Sequence, residues 1–230
     1  MIEVHDFENL GNVLVLVMEY APGGSLQNRL DAARRRDAPL TVAEALRVAR
    51  EVATGLAALH ALDAVHRDVK PSNILFDAQG HALLADFGLV QLPGGPSGRS
   101  MLSLPAPHPG TPQYMSPEQR KSGAYLTSAS DIYTLGAVLF EMLTGRVYNN
   151  QRQGTTVQAL NPEVPDWVNE VVMSCLAMEP EDRPWDGAEF LEIVATAETE
   201  AQEAVRRQLI AEQAQTAQAE APPHQTRQWL

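Results

Sequence analysis

His66-Arg67-Asp68-Val69-Lys70-Pro71-Ser72-Asn73, followed thirteen positions later by Asp86-Phe87-Gly88, is the stretch that most narrows what this chain can become. Ahead of it, Thr41-Val42-Ala43-Glu44 has the Thr-x-x-Glu form of a capping box, and Ala45, Leu46, Ala49, Val52, Ala53, Leu56 and Leu59 recur at helical spacing. That predicts a long buried helix leading into the polar stretch. Behind it, Ile74 to Phe76 and Ala82 to Ala85 are short apolar runs separated by Asp77-Ala78-Gln79-Gly80, which predicts a small hairpin. A helix feeding one loop and a hairpin joining it to the next set the two polar motifs side by side. Asp68 is a carboxylate able to accept a proton, and Lys70, two residues on, lies on the same side of an extended loop. Asn73 and Asp86 add hard oxygens of the kind that Mg²⁺ accepts alongside phosphates and water. Gly88 leaves the backbone free to turn sharply after Asp86.

The two motifs resemble the catalytic loop and the metal loop of the eukaryotic-type (Hanks-type) Ser/Thr protein kinases. The resemblance implies an enzyme that uses ATP and Mg²⁺ to move the γ-phosphoryl group onto Ser/Thr hydroxyls of protein substrates. Such transfer leaves little covalent work for a protein, so catalysis rests on aligning the acceptor and neutralising phosphate charge. By this resemblance Asp68 orients and deprotonates the acceptor hydroxyl, and Lys70 reaches the transferred phosphate and favours Ser/Thr over Tyr. Asn73 and Asp86 hold the metal. Met18 lies at the back of the adenine pocket, Glu19 and Ala21 offer backbone groups to the adenine, Leu75 forms the pocket floor, and His66 packs against Phe87.

The pattern continues downstream. Gly110-Thr111-Pro112-Gln113-Tyr114-Met115-Ser116-Pro117-Glu118 resembles the end of a kinase activation segment, with Ser-Pro-Glu in place of the commoner Ala-Pro-Glu. The resemblance pairs Glu118 with Arg183, a charge-assisted clamp, against the alternative of two solvated surface charges. It makes Asp131 the buried helix-start aspartate that accepts N–H groups from the catalytic loop, a role compatible with a plain helix cap. It gives Thr111 a hydrogen-bonding role in the substrate-facing loop. Arg67, directly before Asp68, is arranged as in kinases where a phosphorylated activation-segment residue neutralises that arginine. Ser100 and Ser103, in a Pro-, Gly- and Ser-rich stretch, are the candidate phosphosites.

The expected fold is α+β and protein-kinase-like: a mainly helical C-terminal lobe with a residual strand pair of the N-terminal lobe. Ile132, Leu135, Gly136, Leu139, Met142 and Leu143 predict a very apolar central helix stopped by Gly145. Trp167 to Leu176 predict another, ended by Pro180, and Asp186-Gly187-Ala188-Glu189 opens one more. The Gly-rich loop, strand lysine and helix glutamate of a full small lobe are not in the sequence. The expected divisions are 1–22 for residual strands and hinge, 23–195 for the large lobe, and 196–230 for an Ala/Gln/Glu-rich helical linker or tail. Gly23-Gly24 reads as a turn. Two functional readings follow: a Ser/Thr kinase whose chain is truncated, and a catalytically weak kinase-like binding or scaffold module. With Val13-Leu14-Val15-Leu16-Val17-Met18 partly uncovered, the chain alone is expected to aggregate or to need a further domain or partner over the incomplete lobe.

Composition narrows the partners. At 230 residues and 44% hydrophobic content the chain buries a core, and its net charge of −12 argues against nucleic acid or anionic membrane and favours basic protein substrates. No apolar run approaches a membrane span, and no charged leader region precedes Ile2. Cys175 is the lone cysteine, so an internal disulfide is excluded and a reducing, cytoplasmic setting fits. His5, His60, His81, His108 and His224 show no metal-ligand spacing.

Overall fold

A computed structural model of the chain describes residues 1–10, 13–86, 112–121 and 124–219. In chain order its elements are strands β1 (Val4–Leu10) and β2 (Val13–Met18), helices α1 (Leu26–Arg35) and α2 (Val42–His60), and strands β3 (Ile74–Phe76) and β4 (Ala82–Leu84). Helices α3 (Ser128–Thr144), α4 (Val157–Leu160), α5 (Asp166–Cys175) and α6 (Gly187–Ala219) follow.

The body grows around α3. Every residue from Ala129 to Leu143 is buried, so the helix is covered on all sides and acts as a central post. Each Leu or Ile fully buried there contributes roughly 1.5–3 kcal/mol of hydrophobic stabilisation. Helix α2 packs along it through Ala45, Leu46, Ala49, Val52, Ala53 and Leu56, the positions its periodicity predicts. Only half of the expected capping box forms at its start: Thr41 Oγ1 accepts from Glu44 N at 3.2 Å, but the Glu44 carboxylate turns to Arg29 at 3.4 Å. A reciprocal box forms instead at α1, where Ser25 and Asn28 exchange side-chain and backbone hydrogen bonds.

Helix α6 meets α2 so closely at Gly187 that a Cβ there would lie 2.5 Å from the Ala53 carbonyl oxygen, a contact only glycine allows. Helix α5 stops at Cys175, five residues short of Pro180, which opens a 3₁₀ turn instead. Helix α6 then runs unbroken through the composition change near Ala195. Arg50 holds Glu198 at 2.6 Å, and Val205, Leu209 and Ile210 farther along are exposed.

The strands form two separate antiparallel pairs, β1 with β2 and β3 with β4. In the second pair Ile74, Leu75 and Phe76 face Leu84, Leu83 and Ala82. Helix α2 grips the hairpin's turn, with Arg47 donating to the Gly80 carbonyl at 3.0 Å and Glu51 accepting from Ala82 N at 2.5 Å. In the first pair Val4, Val17 and Met18 are exposed. This ribbon is tied to the body where Ile2 N donates to the Leu84 carbonyl at 3.0 Å. Among the described residues no helix is long and apolar enough to cross a membrane.

Candidate active site

Asp131, in the first turn of α3 and fully buried, organises the loop that precedes the hairpin. Its Oδ2 accepts from His66 N at 2.7 Å and its Oδ1 from Arg67 N at 2.8 Å. The helix cap is Thr127, so Asp131 serves the loop and not the helix end. A second bond reaches Oδ2 from His60, at the end of α2, whose Nε2 lies 3.0 Å away. Because Gly187 N donates to His60 Nδ1 at 3.1 Å, that nitrogen is the acceptor, which leaves Nε2 as the donor to Asp131. The start of α6, the end of α2 and the start of α3 thus converge on one carboxylate. Burial holds the neighbouring His66 imidazole below its ordinary pKa, against the pull of Asp131 and Asp68.

Arg67 sits at φ 70°, in the left-handed region, a conformation that costs roughly 1–3 kcal/mol for a residue with a Cβ and persists where its surroundings over-determine it. Asp68 follows, 8% exposed. Lys70 Nζ lies 2.6 Å from its Oδ2, and Asn73 Nδ2 donates at 2.9 Å both to that oxygen and to the Asp68 carbonyl. Burial raises the Asp68 carboxyl above the usual range, while the bonds from Lys70 and Asn73 oppose the shift and Asp86 adds to it. Asn73 also closes the link to the second motif, its carbonyl accepting from Ala85 N at 2.8 Å. Asp86 is the next residue, exposed and at φ 69°. Asp68, Lys70, Asn73 and Asp86 are therefore neighbours, brought together by the β3–β4 hairpin.

The donor set suits Mg²⁺. Asn73 Nδ2 is directed at Asp68, while its Oδ1, which accepts from Ser72 Oγ at 3.3 Å, keeps a second lone pair for a cation; with the Asp86 carboxylate it offers hard oxygens of the kind Mg²⁺ takes alongside phosphates and water. Lys70 has one of its three N–H groups on Asp68.

The segment around Glu118 is held at four points. Arg183, 5% exposed, forms a bidentate pair with Glu118, Nη1 to Oε1 at 2.7 Å and Nη2 to Oε2 at 3.0 Å. Its remaining donors go to the carbonyls of Ala177, Ala129 and Met178. Burial pushes the Glu118 carboxyl up, and the Arg183 bonds outweigh it, holding it below the usual range. The alternative of two solvated charges does not describe this pair. Gln119 reaches the Arg67 carbonyl at 2.8 Å. Asn149, in the 3₁₀ turn after α3, donates to the carbonyls of Gln113 at 2.9 Å and Met115 at 3.1 Å, and accepts from Tyr133 Oη at 2.9 Å. Tyr114 Oη donates to the fully buried Glu141 at 2.6 Å, and Arg34 pairs with the other oxygen of that carboxylate.

The residues expected to meet adenine lie where β2 leaves the ribbon. Met18 is 36% exposed, Glu19 N is bonded to the Glu3 carbonyl at 2.8 Å, and Ala21 is half-buried. Leu75, half-buried on β3, bridges to Ser25. Gly23 forms more than a turn: its N donates to the Phe76 carbonyl at 2.8 Å, and a Cβ would sit 2.6 Å from the Phe76 Cβ. Phe87, Gly88, Ser100, Ser103 and Thr111 lie outside the described residues.

His60, Gln119, Asn149 and Glu141 are absent from the sequence-based set. No local pattern marks them, since each acts through contacts to residues distant in the chain. The protein kinase domain model matches residues 1–194. The chain is 31% identical to the serine/threonine-protein kinase PrkC of Bacillus subtilis over 84% of its own length and 30% of that protein. It is 35% identical to PkaA of Streptomyces coelicolor over 80% of the chain and 34% of the relative, and 37% identical to PkaB of the same organism over 80% and 46%. The chain thus spans less than half the length of these three relatives.

Proposed function

The chain belongs to the protein kinase family, in its Hanks-type Ser/Thr branch, and from that premise we propose that it transfers the γ-phosphoryl group of Mg²⁺-bound ATP to Ser/Thr hydroxyls of proteins. The observation that carries this reading is the convergence on Asp68 of Lys70 at 2.6 Å and Asn73 at 2.9 Å, with Asp86 adjoining through the Asn73–Ala85 bond.

In this reading Asp68 accepts a hydrogen bond from the acceptor hydroxyl and takes its proton as attack proceeds. A carboxylate raised toward working pH and fixed by two neighbours suits a general base. Lys70 keeps one N–H on Asp68 and turns the others to the transferred phosphoryl oxygens, so that one cation follows charge from base to phosphate. Asn73 Oδ1 and Asp86 hold the magnesium, which neutralises charge on the nucleotide phosphates when bound. Met18, Glu19, Ala21 and Leu75 receive the adenine. Arg67, whose Nε has no hydrogen-bond partner among the described residues, receives a phosphate carried by Ser100 or Ser103. Residues 1–22, 23–195 and 196–230 remain the proposed divisions of strands and hinge, large lobe and tail.

Titration of the purified chain with ATP, with and without Mg²⁺, beside initial rates of phosphate transfer to a basic Ser/Thr protein, tests this. Mg²⁺-dependent binding weakened by Asp86→Asn, together with transfer abolished by Asp68→Asn, is the expected outcome. Nucleotide binding without transfer, or no nucleotide binding at all, would overturn this reading and favour the catalytically weak kinase-like binding or scaffold module.

A further inference from the structure

We propose that Gln119 is a positioning residue that couples the seating of the Ser116–Lys121 segment to Asp68 through the backbone carbonyl of Arg67. The proposal rests on the phosphoryl-transfer reading above. Gln119 is 7% exposed, and both ends of its amide are used. Oε1 accepts from Ser116 N at 2.8 Å and Nε2 donates to the Arg67 carbonyl at 2.8 Å, while the Gln119 backbone N–H faces Ser116 Oγ at 3.3 Å. Those partners fix the amide's orientation, because the flipped form would set donor against donor and acceptor against acceptor.

The bond matters for where it lands. Arg67 stands in the left-handed region, and its two backbone polar groups are held by side chains from opposite directions: the N–H by Asp131 of α3, the carbonyl by Gln119. That carbonyl belongs to the peptide unit joining Arg67 to Asp68, so its direction sets how the chain departs toward the carboxylate. The Asp68 side chain itself is bonded by Lys70 and Asn73, which come from its own loop and report nothing of the rest of the molecule. Gln119 is the tie from the segment that ends the 87–111 stretch. Glu118, one residue before, is anchored independently on Arg183. Removing the Gln119 bond therefore leaves the segment attached to the body while cutting its line to Asp68.

Two variants separate the link from general packing. Gln119→Glu keeps the acceptor for Ser116 N but faces the Arg67 carbonyl with an oxygen; Gln119→Met keeps the length and loses both bonds. Hydrogen–deuterium exchange of the intact chain is read at the amides of Arg67 to Val69 and, as control, at those of α3. The expected result is exchange about tenfold faster at 67–69 in both variants with α3 unchanged, and a kcat about tenfold lower with KM for ATP unchanged. Unchanged exchange at 67–69 overturns the proposal. Faster exchange throughout α3, or loss of folding in both variants, assigns Gln119 a merely structural role and overturns it too. A wild-type chain without transfer activity would sink the phosphoryl-transfer reading alone, since the exchange measurement decides the Gln119 link by itself.

Discussion

The β1–β2 ribbon and the helical body carry different halves of the proposed chemistry, and they are held in different ways. Around Asp131 each carboxylate oxygen accepts from a loop N–H, and His60 adds a third donor. The ribbon has Val17 and Met18 at 43% and 36% exposure, and its described ties to the body lie at its start, where Ile2 is buried and its N–H bonds Leu84. Groups proposed to handle phosphate thus ride on an over-determined frame, whereas Met18 and Glu19, proposed to meet adenine, sit at the end of a lightly anchored one, with Leu75 alone of that set on the body's hairpin. The difference teaches that loss of rate, loss of stability and loss of nucleotide affinity should follow from substitutions in separate places.

The largest effect is expected at the frame's reactive edge. Asp68→Asn should lower the transfer rate by about 10²–10⁴-fold with little change in denaturation midpoint, as measured by initial rates and urea unfolding. Rates equal to wild type would detach Asp68 from the chemistry. Next in size, Arg183→Met leaves Glu118 buried without its counter-charge and should cost about 3–5 kcal/mol in urea unfolding. A midpoint like that of wild type would mean that the clamp does not hold the segment to the body.

Titration sharpens the comparison further. Glu118 is held below its ordinary value, so its contribution to stability is fully present above the unfolded value of about 4.3 and is lost as pH falls through its lower folded pKa. Acid unfolding of Arg183→Met should lack that component. Asp68 has the opposite sign, since its carboxyl is raised mainly by burial: its contribution is present below the unfolded value of about 3.9 and is lost as pH rises through the folded pKa. The acid limb of the transfer rate should lie above that unfolded value, and Lys70→Met should move it higher. An acid limb unmoved in Lys70→Met would contradict the Lys70–Asp68 coupling. The smallest effect belongs to the ribbon, where Val17→Thr should change global stability by no more than about 0.5 kcal/mol. Amides of β1 and β2 should exchange far faster than those of α3, and equal protection of the two regions would erase the contrast.

Much of this was readable beforehand because it is local. The apolar positions of α2 repeat every three or four residues, and that period selected the face that the fold buries, while the high apolar content of α3 marked a helix that is buried all round. The motif around Asp68 and the hairpin between Asn73 and Asp86 follow from spacings of a few residues. Prediction failed where local competition has more than one outcome. Glu44 has the right position to complete a capping box, yet Arg29 offers its carboxylate a charged partner and takes it. Pro180 stops a helix from running through it and disfavours helix at the residue before, but says nothing of how much earlier α5 ends.

Order along the chain was enough to determine the helical body, the hairpin and the identity of the polar groups beside it, because hydrophobic period and loop spacing act between near neighbours. Which distant side chains lock those groups in place was decided in three dimensions alone. Gln119 meets Arg67 across 52 positions, His60 meets Gly187 across 127, and Asn149 meets Gln113 across 36. A single hydrogen bond between distant residues has no period and no fixed spacing, so it becomes visible when packing has brought its two ends within 3 Å or so of each other.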